Sequence, residues 1–69
     1  MSNHVYKITQ LAGSSSTSVE DAIETAIAKA AKTVRNMDWF EVIETRGQIE
    51  EGKVAHYQVI LNIGFRLED

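Results

Sequence analysis

The sequence contains no cysteine, which excludes disulfides and thiolate metal sites. Its two histidines, His4 and His56, are too few for a histidine-rich metal centre. No run approaches the roughly 20 apolar residues of a membrane span. The opening MSNHVYKITQ has no apolar stretch after a basic start, so it does not read as a secretory leader. A basic excess is also missing. Ten acidic residues oppose seven Lys and Arg, for a formal net charge of -3. Nucleic-acid modules normally carry the opposite balance. These absences point to a soluble cytoplasmic protein with no nucleic-acid or membrane partner.

Length is scarce too. The 69 residues make one domain, 1–69. A domain this short buries only roughly 60% of the surface its unfolded chain exposes. Small domains are usually reinforced by disulfides, a metal or self-association. Self-association is the reinforcement left.

The order of elements is strand, helix, then a strand hairpin. HVYKITQLA (4–12) alternates and is rich in strand formers. GSSSTS (13–18) reads as a small-residue loop, with Gly13 ending the strand. Ser18 has the position of a helix N-cap, and Asp21, three residues on, suits a capping box. The helix is expected to run to about Asn36. Val19, Ile23, Ala26, Ile27, Ala30, Val34 and Met37 form its apolar stripe. Residues 39–49 and 53–67 then flank a turn at Glu51-Gly52. In the last strand, Ala55, Tyr57, Val59, Leu61, Ile63, Phe65 and Leu67 alternate with a mostly polar set, a period of two. Such a strand, at about 3.3 Å per residue, spans roughly 50 Å. A compact globule of this length is only roughly 28 Å across. The strand must therefore curl around the helix or reach onto a neighbouring chain.

The single tryptophan, Trp39, precedes Phe40, and successive strand side chains face opposite ways. A two-residue turn sets Phe40 opposite Ile63 and Val42 opposite Leu61, on the apolar face under the helix. It sets Trp39 opposite Gly64, Glu41 opposite Asn62, Ile43 opposite Ile60 and Thr45 opposite Gln58. Trp39 is then expected beside Gln58, Asn62 and Arg66. Strict pairing would put Arg46 on the apolar face, opposite Tyr57. A bulge at Arg46-Gly47 is expected to return it to the polar side, near Gln58.

Two readings of that polar face stay open. An indole for stacking, a glutamine amide and arginine forks suit a flat, anionic, hydrogen-bonding ligand. The same residue types are enriched at subunit interfaces, which is the stronger reading on these residues alone. The two are compatible. His56 reads as an interface histidine before it reads as a metal ligand or acid–base group. Glu41, Glu44, Glu50 and Glu51 read as strand and turn charges. GSSSTS lacks the lysine and second glycine of a phosphate loop. Lys29, Lys32 and Arg35 read as a solvated helix face, or in a second reading as a phosphate-attracting patch beside Tyr6 and Lys7. No constellation supports an enzyme.

SVEDAIETAIAKAAKTVRNMDWFEV, then RG, a glycine turn and AHYQVILNIGFRLED, in this order and size, resembles the dodecins, a family of small flavin-binding proteins. The resemblance covers nearly the whole chain. It implies an α+β fold, a three-stranded antiparallel sheet (β-α-β-β) partly wrapped around one helix. Twelve such chains would form a hollow homododecamer. Flavins would stack in pairs on Trp39 of neighbouring subunits, with Gln58 at the polar edge of the ring and Arg46 and Arg66 near the phosphate. Arg46 in place of an acid favours FMN over riboflavin, with FAD a further alternative. Some bacterial members bind coenzyme A, for which Tyr6, Lys29 and Lys32 are the candidate contacts. The implied role is nucleotide-binding flavin storage and sequestration, with the excited flavin quenched by the indole. The alternatives are a purely structural homo-oligomer, a coenzyme A carrier and a small flavin-dependent redox enzyme.

Overall fold

In a computed structural model, residues 3–67 are described. The order is β1 (Tyr6–Ser15), α1 (Val19–Ala30), β2 (Met37–Glu50) and β3 (Lys53–Arg66). The three strands make one antiparallel sheet in the order β1-β3-β2. The α+β, β-α-β-β architecture expected from the sequence is the one found. The last two residues of the IGFRLED motif lie outside the described residues.

The odd-numbered face of β3 carries the core. Val59, Leu61 and Ile63 are essentially fully buried, together with Ala22 of α1. Val19, Ile23, Ala26, Ile27, Leu11 and Met37 pack around them. Burial of each large aliphatic side chain favours folding by about 1.5–3 kcal/mol. Ala22, the most buried helix residue, was not in the apolar stripe read from the sequence. Its small size lets α1 settle on Gly13. A methyl group on Gly13 would stand 2.6 Å from the Ala22 carbonyl oxygen and 2.9 Å from Ala26 Cβ. Gly13 therefore does not end β1. It admits the helix while the strand runs on to Ser15.

The helix start matches its sequence signals in part. Ser18 Oγ accepts from the Asp21 amide at 3.0 Å. The Asp21 carboxylate does not return to Ser18. It accepts from Ser15 Oγ at 2.6 Å, and that oxygen accepts from the Thr17 and Ser18 amides. The expected capping box is thus relayed through Ser15. The helix is also shorter than expected, closing at Ala30 rather than Asn36. Beyond it the bonds turn irregular, with the Lys32 amide on Lys29 O and the Thr33 amide on Ala30 O. Asn36, at φ 64°, turns the chain into β2. Asparagine tolerates this left-handed conformation better than most residues.

Helix α1 packs mainly against β1 and β3, and of β2 only Met37 is packed against the core. Every β2 residue from Asp38 to Glu50 is exposed. Phe40 does lie opposite buried Ile63, but it is 48% exposed, so it is not under the helix as the sequence suggested. The chain measures 55 × 21 × 14 Å, with a radius of gyration of 14.4 Å. A compact chain of this length would have about 11 Å. The far end of the β2–β3 hairpin extends beyond α1, which the rest of the sheet partly wraps. Glu51 and Gly52, both at positive φ, close it as a two-residue turn.

Candidate functional site

The face of the sheet opposite α1 carries the candidate residues. Its β1 and β3 positions pair as Tyr6 with Arg66, Ile8 with Gly64, Gln10 with Asn62, and Ser14 with Gln58. On the other side of β3, Trp39 pairs with Gly64, Glu41 with Asn62, Glu44 with Ile60, and Arg46 with Gln58. Trp39 is therefore on the helix-free face, as the alternation required.

Its indole lies over Gly64. A methyl group there would meet Trp39 Cε2 at 2.1 Å and Cζ2 at 2.2 Å. The glycine is buried while the tryptophan is 38% exposed, so the ring's inner side is fixed and its outer side stays open. Tyr6 stands next to it, with ring centroids 6.0 Å apart and planes tilted by 57°. This separation is within the favourable range for aromatic pairs. The Tyr6 hydroxyl donates to Asp38 Oδ2 at 2.9 Å. A register shift between Met37 and Trp39 lets Asp38 reach this tyrosine while its neighbour covers Gly64. That hydrogen bond, with desolvation and the carboxylate's charge, raises the Tyr6 pKa, and nearby Arg66 opposes the shift.

A second cluster lies farther along the sheet. Arg46 Nε donates to Gln58 Oε1 at 2.7 Å. Glu44 lies 3.5 Å from Arg46 Nη1, both half exposed, an ion pair worth at most about 1 kcal/mol. Ser14, Arg46, Gly47, Gln48, His56 and Gln58 surround an open cleft of about 430 Å³. Because Arg46 engages the glutamine oxygen, the Gln58 amide nitrogen is left with donors for a ligand.

Arg46 thus sits beside Gln58, as the sequence suggested, although the expected bulge at 46–47 is elsewhere. Register shifts occur between Gln48 and Ile49 and between Val42 and Glu44. The first carries Arg46 to the polar face by leaving Ala55 without a cross-strand partner, and the second restores the register at Ile43. In consequence Glu44, not Ile43, faces Ile60, and Thr45 faces Val59 rather than Gln58.

One expected neighbourhood is not formed within the chain. Gln58 is six residues from Gly64 along β3, or roughly 20 Å at the usual strand rise. Trp39 and Gln58 therefore belong to separate clusters, the first shared with Tyr6 and Arg66, the second with Arg46. The patch joining Tyr6 to Lys29 and Lys32 is not formed either. Lys29 lies on α1 beside Leu11 and Ala12, across the sheet from the tyrosine. Lys32 follows in the turn after α1. Asp38 and Gln48 were missed by the sequence reading. Asp38 was within a motif but had no signal of its own until the bulge was known.

A family model described as Dodecin matches residues 5–68. The dodecin of Thermus thermophilus is 54% identical over 65 residues, 94% of each chain. The structure of dodecin from Streptomyces coelicolor is 52% identical, with a TM-score of 0.92, and covers 100% of this chain and 99% of that one. The crystal structure of a Trp-to-Phe mutant of the Thermus thermophilus dodecin is 51% identical, with a TM-score of 0.91 and coverage of 97% and 100%.

Proposed function

The chain belongs to the dodecin family, and on that premise we propose that it stores and sequesters FMN between copies of itself. The observation that carries this reading is the Trp39 indole, braced against Gly64 with its outer side open. A flavin ring stacks there as a flat aromatic partner. The free donors of Gln58 serve the carbonyls at the polar edge of that ring. Arg46 and Arg66 supply planar forks for the phosphate.

The separation of Trp39 from Gln58 gives the assembly its purpose. Neither cluster is a whole site. A neighbouring copy brings its Arg46 and Gln58 to the Trp39, Tyr6 and Arg66 of the first. Twelve copies in a hollow shell, the arrangement implied by the family, repeat that contact throughout. Electron transfer from the indole to the excited flavin would leave the ligand dark. Storage requires no bond in the ligand to be broken, which fits a sequence without a catalytic constellation. Localisation in the cytoplasm accords with that role. Coenzyme A finds less support, since Tyr6 and Lys29 lie on different sides of the sheet.

The test is a fluorescence titration of FMN with the purified protein. Emission should fall to a small residue at saturation, and Trp39→Ala should restore most of it. Undiminished emission at high protein concentration would refute the proposal.

A second reading, a purely structural assembly, is favoured by one observation. Phe40, Val42, Ile43 and Ile49 of β2 are all exposed by 40% or more, an apolar surface suited to subunit contact. It predicts a shell that binds no flavin and is disrupted by Trp39→Ala.

A further inference from the structure

The cleft around Arg46 holds one ionisable group with no role so far. His56 pairs across the strands with Gln48, two residues from Gln58 on the same face of β3. The charges around it can be named strand by strand. From β1 the cleft receives Ser14, which is uncharged. From β2 it receives Gln48 and Arg46, and Glu44 pairs with that arginine at 3.5 Å. From β3 it receives Gln58, whose oxygen holds Arg46 Nε at 2.7 Å. Arg46 is thus held by one neighbour and partly neutralised by another. A phosphate held by Arg46 and by the Arg66 of a neighbouring copy gains from a further cation beside it, and among the residues lining the cleft only His56 can become one.

Resting on the flavin reading above, we propose that His56 is a specificity-determining contact that, when protonated, pairs with the phosphate of a phosphorylated flavin. Imidazoles gain their proton between about pH 5 and 8. The contact belongs to the imidazolium form, so it strengthens on acidification, and it favours FMN over riboflavin. A phosphate monoester also gains a proton near pH 6, which weakens FMN binding by itself. The two effects are separated by comparing the protein with His56→Gln, which keeps a polar side chain but cannot acquire charge.

The experiment measures Kd for FMN and riboflavin, by flavin fluorescence, at about pH 8 and about pH 6 for both proteins. The Kd ratio of variant to parent for FMN should grow about threefold between the two values, as expected for an exposed ion pair. The same ratio for riboflavin should stay near one, which also shows that the variant is folded. An FMN ratio that does not change with pH, or an equal loss for riboflavin, overturns the proposal. If the parent protein binds neither flavin at either pH, the flavin reading itself fails and this inference falls with it.

Discussion

The Trp39 indole is seated on the bare backbone of Gly64, where a single methyl group would stand 2.1 Å from the ring. The two residues are direct cross-strand partners. The glycine sets the height of the indole above the sheet.

Gly64→Ala should therefore lift or turn the indole without removing it. FMN affinity is expected to fall by an order of magnitude or more, the loss of a stacking contact worth about 1–3 kcal/mol. Intrinsic tryptophan emission should change at the same time. An alanine variant with parental FMN affinity would show that the seat is unimportant.

On the proposed reading, a site that uses both Trp39 and Gln58, which stand in separate clusters, is shared between copies. Trp39→Ala and Gln58→Ala should each bind FMN poorly when expressed alone. Co-expressed, they should form mixed assemblies in which some sites unite an intact Trp39 with an intact Gln58. Partial recovery of quenching is the expected result. No recovery in verified mixed assemblies would place both residues of a site on one chain.

Tyr6 donates its phenolic hydrogen to Asp38, and its pKa is raised from the ordinary value of 10.0. A raised value means that the folded chain keeps the phenol protonated to higher pH than a free tyrosine. Absorbance at tyrosinate wavelengths should place one tyrosine above the ordinary range. Asp38→Asn removes the carboxylate charge and should lower that titration. Titration of Tyr6 at its ordinary value in the parent would contradict the contact.

Gly13→Ala tests how closely α1 approaches β1. The added methyl meets a backbone oxygen, so the helix itself must shift. Overpacking of this kind costs about 1–3 kcal/mol. The urea midpoint should fall at fixed protein concentration, and an unchanged midpoint would indicate a looser fit.

Much of the fold was legible because the patterns were local. The alternation in β3, the Ser18 cap and the Glu51-Gly52 turn each followed from a few neighbouring residues. The face on which Trp39 lies followed too, since its stretch of β2, from Trp39 to Val42, keeps the register set by the turn. The failures came where tertiary contacts decide. Gly13 looked like a strand breaker until the helix lay across it. Asn36 ends the excursion from helix to strand by its positive φ, which no periodicity announces. The bulges at Ala55 and Ile43 moved Arg46 to the expected face by an unexpected route. Phe40 seemed destined for the core because alternation gives a side, not what covers that side. The roughly 20 Å between Trp39 and Gln58 follows from strand rise alone. It could have been counted in the sequence, but the shared polar face drew the two residues together.

A structure of the protein with FMN bound tests the central claim most directly. The flavin ring should lie parallel to the outer side of the Trp39 indole, with Gln58 of a different copy within hydrogen-bonding distance of its polar edge. A flavin held away from Trp39, or one whose contacts all come from a single chain, would contradict it.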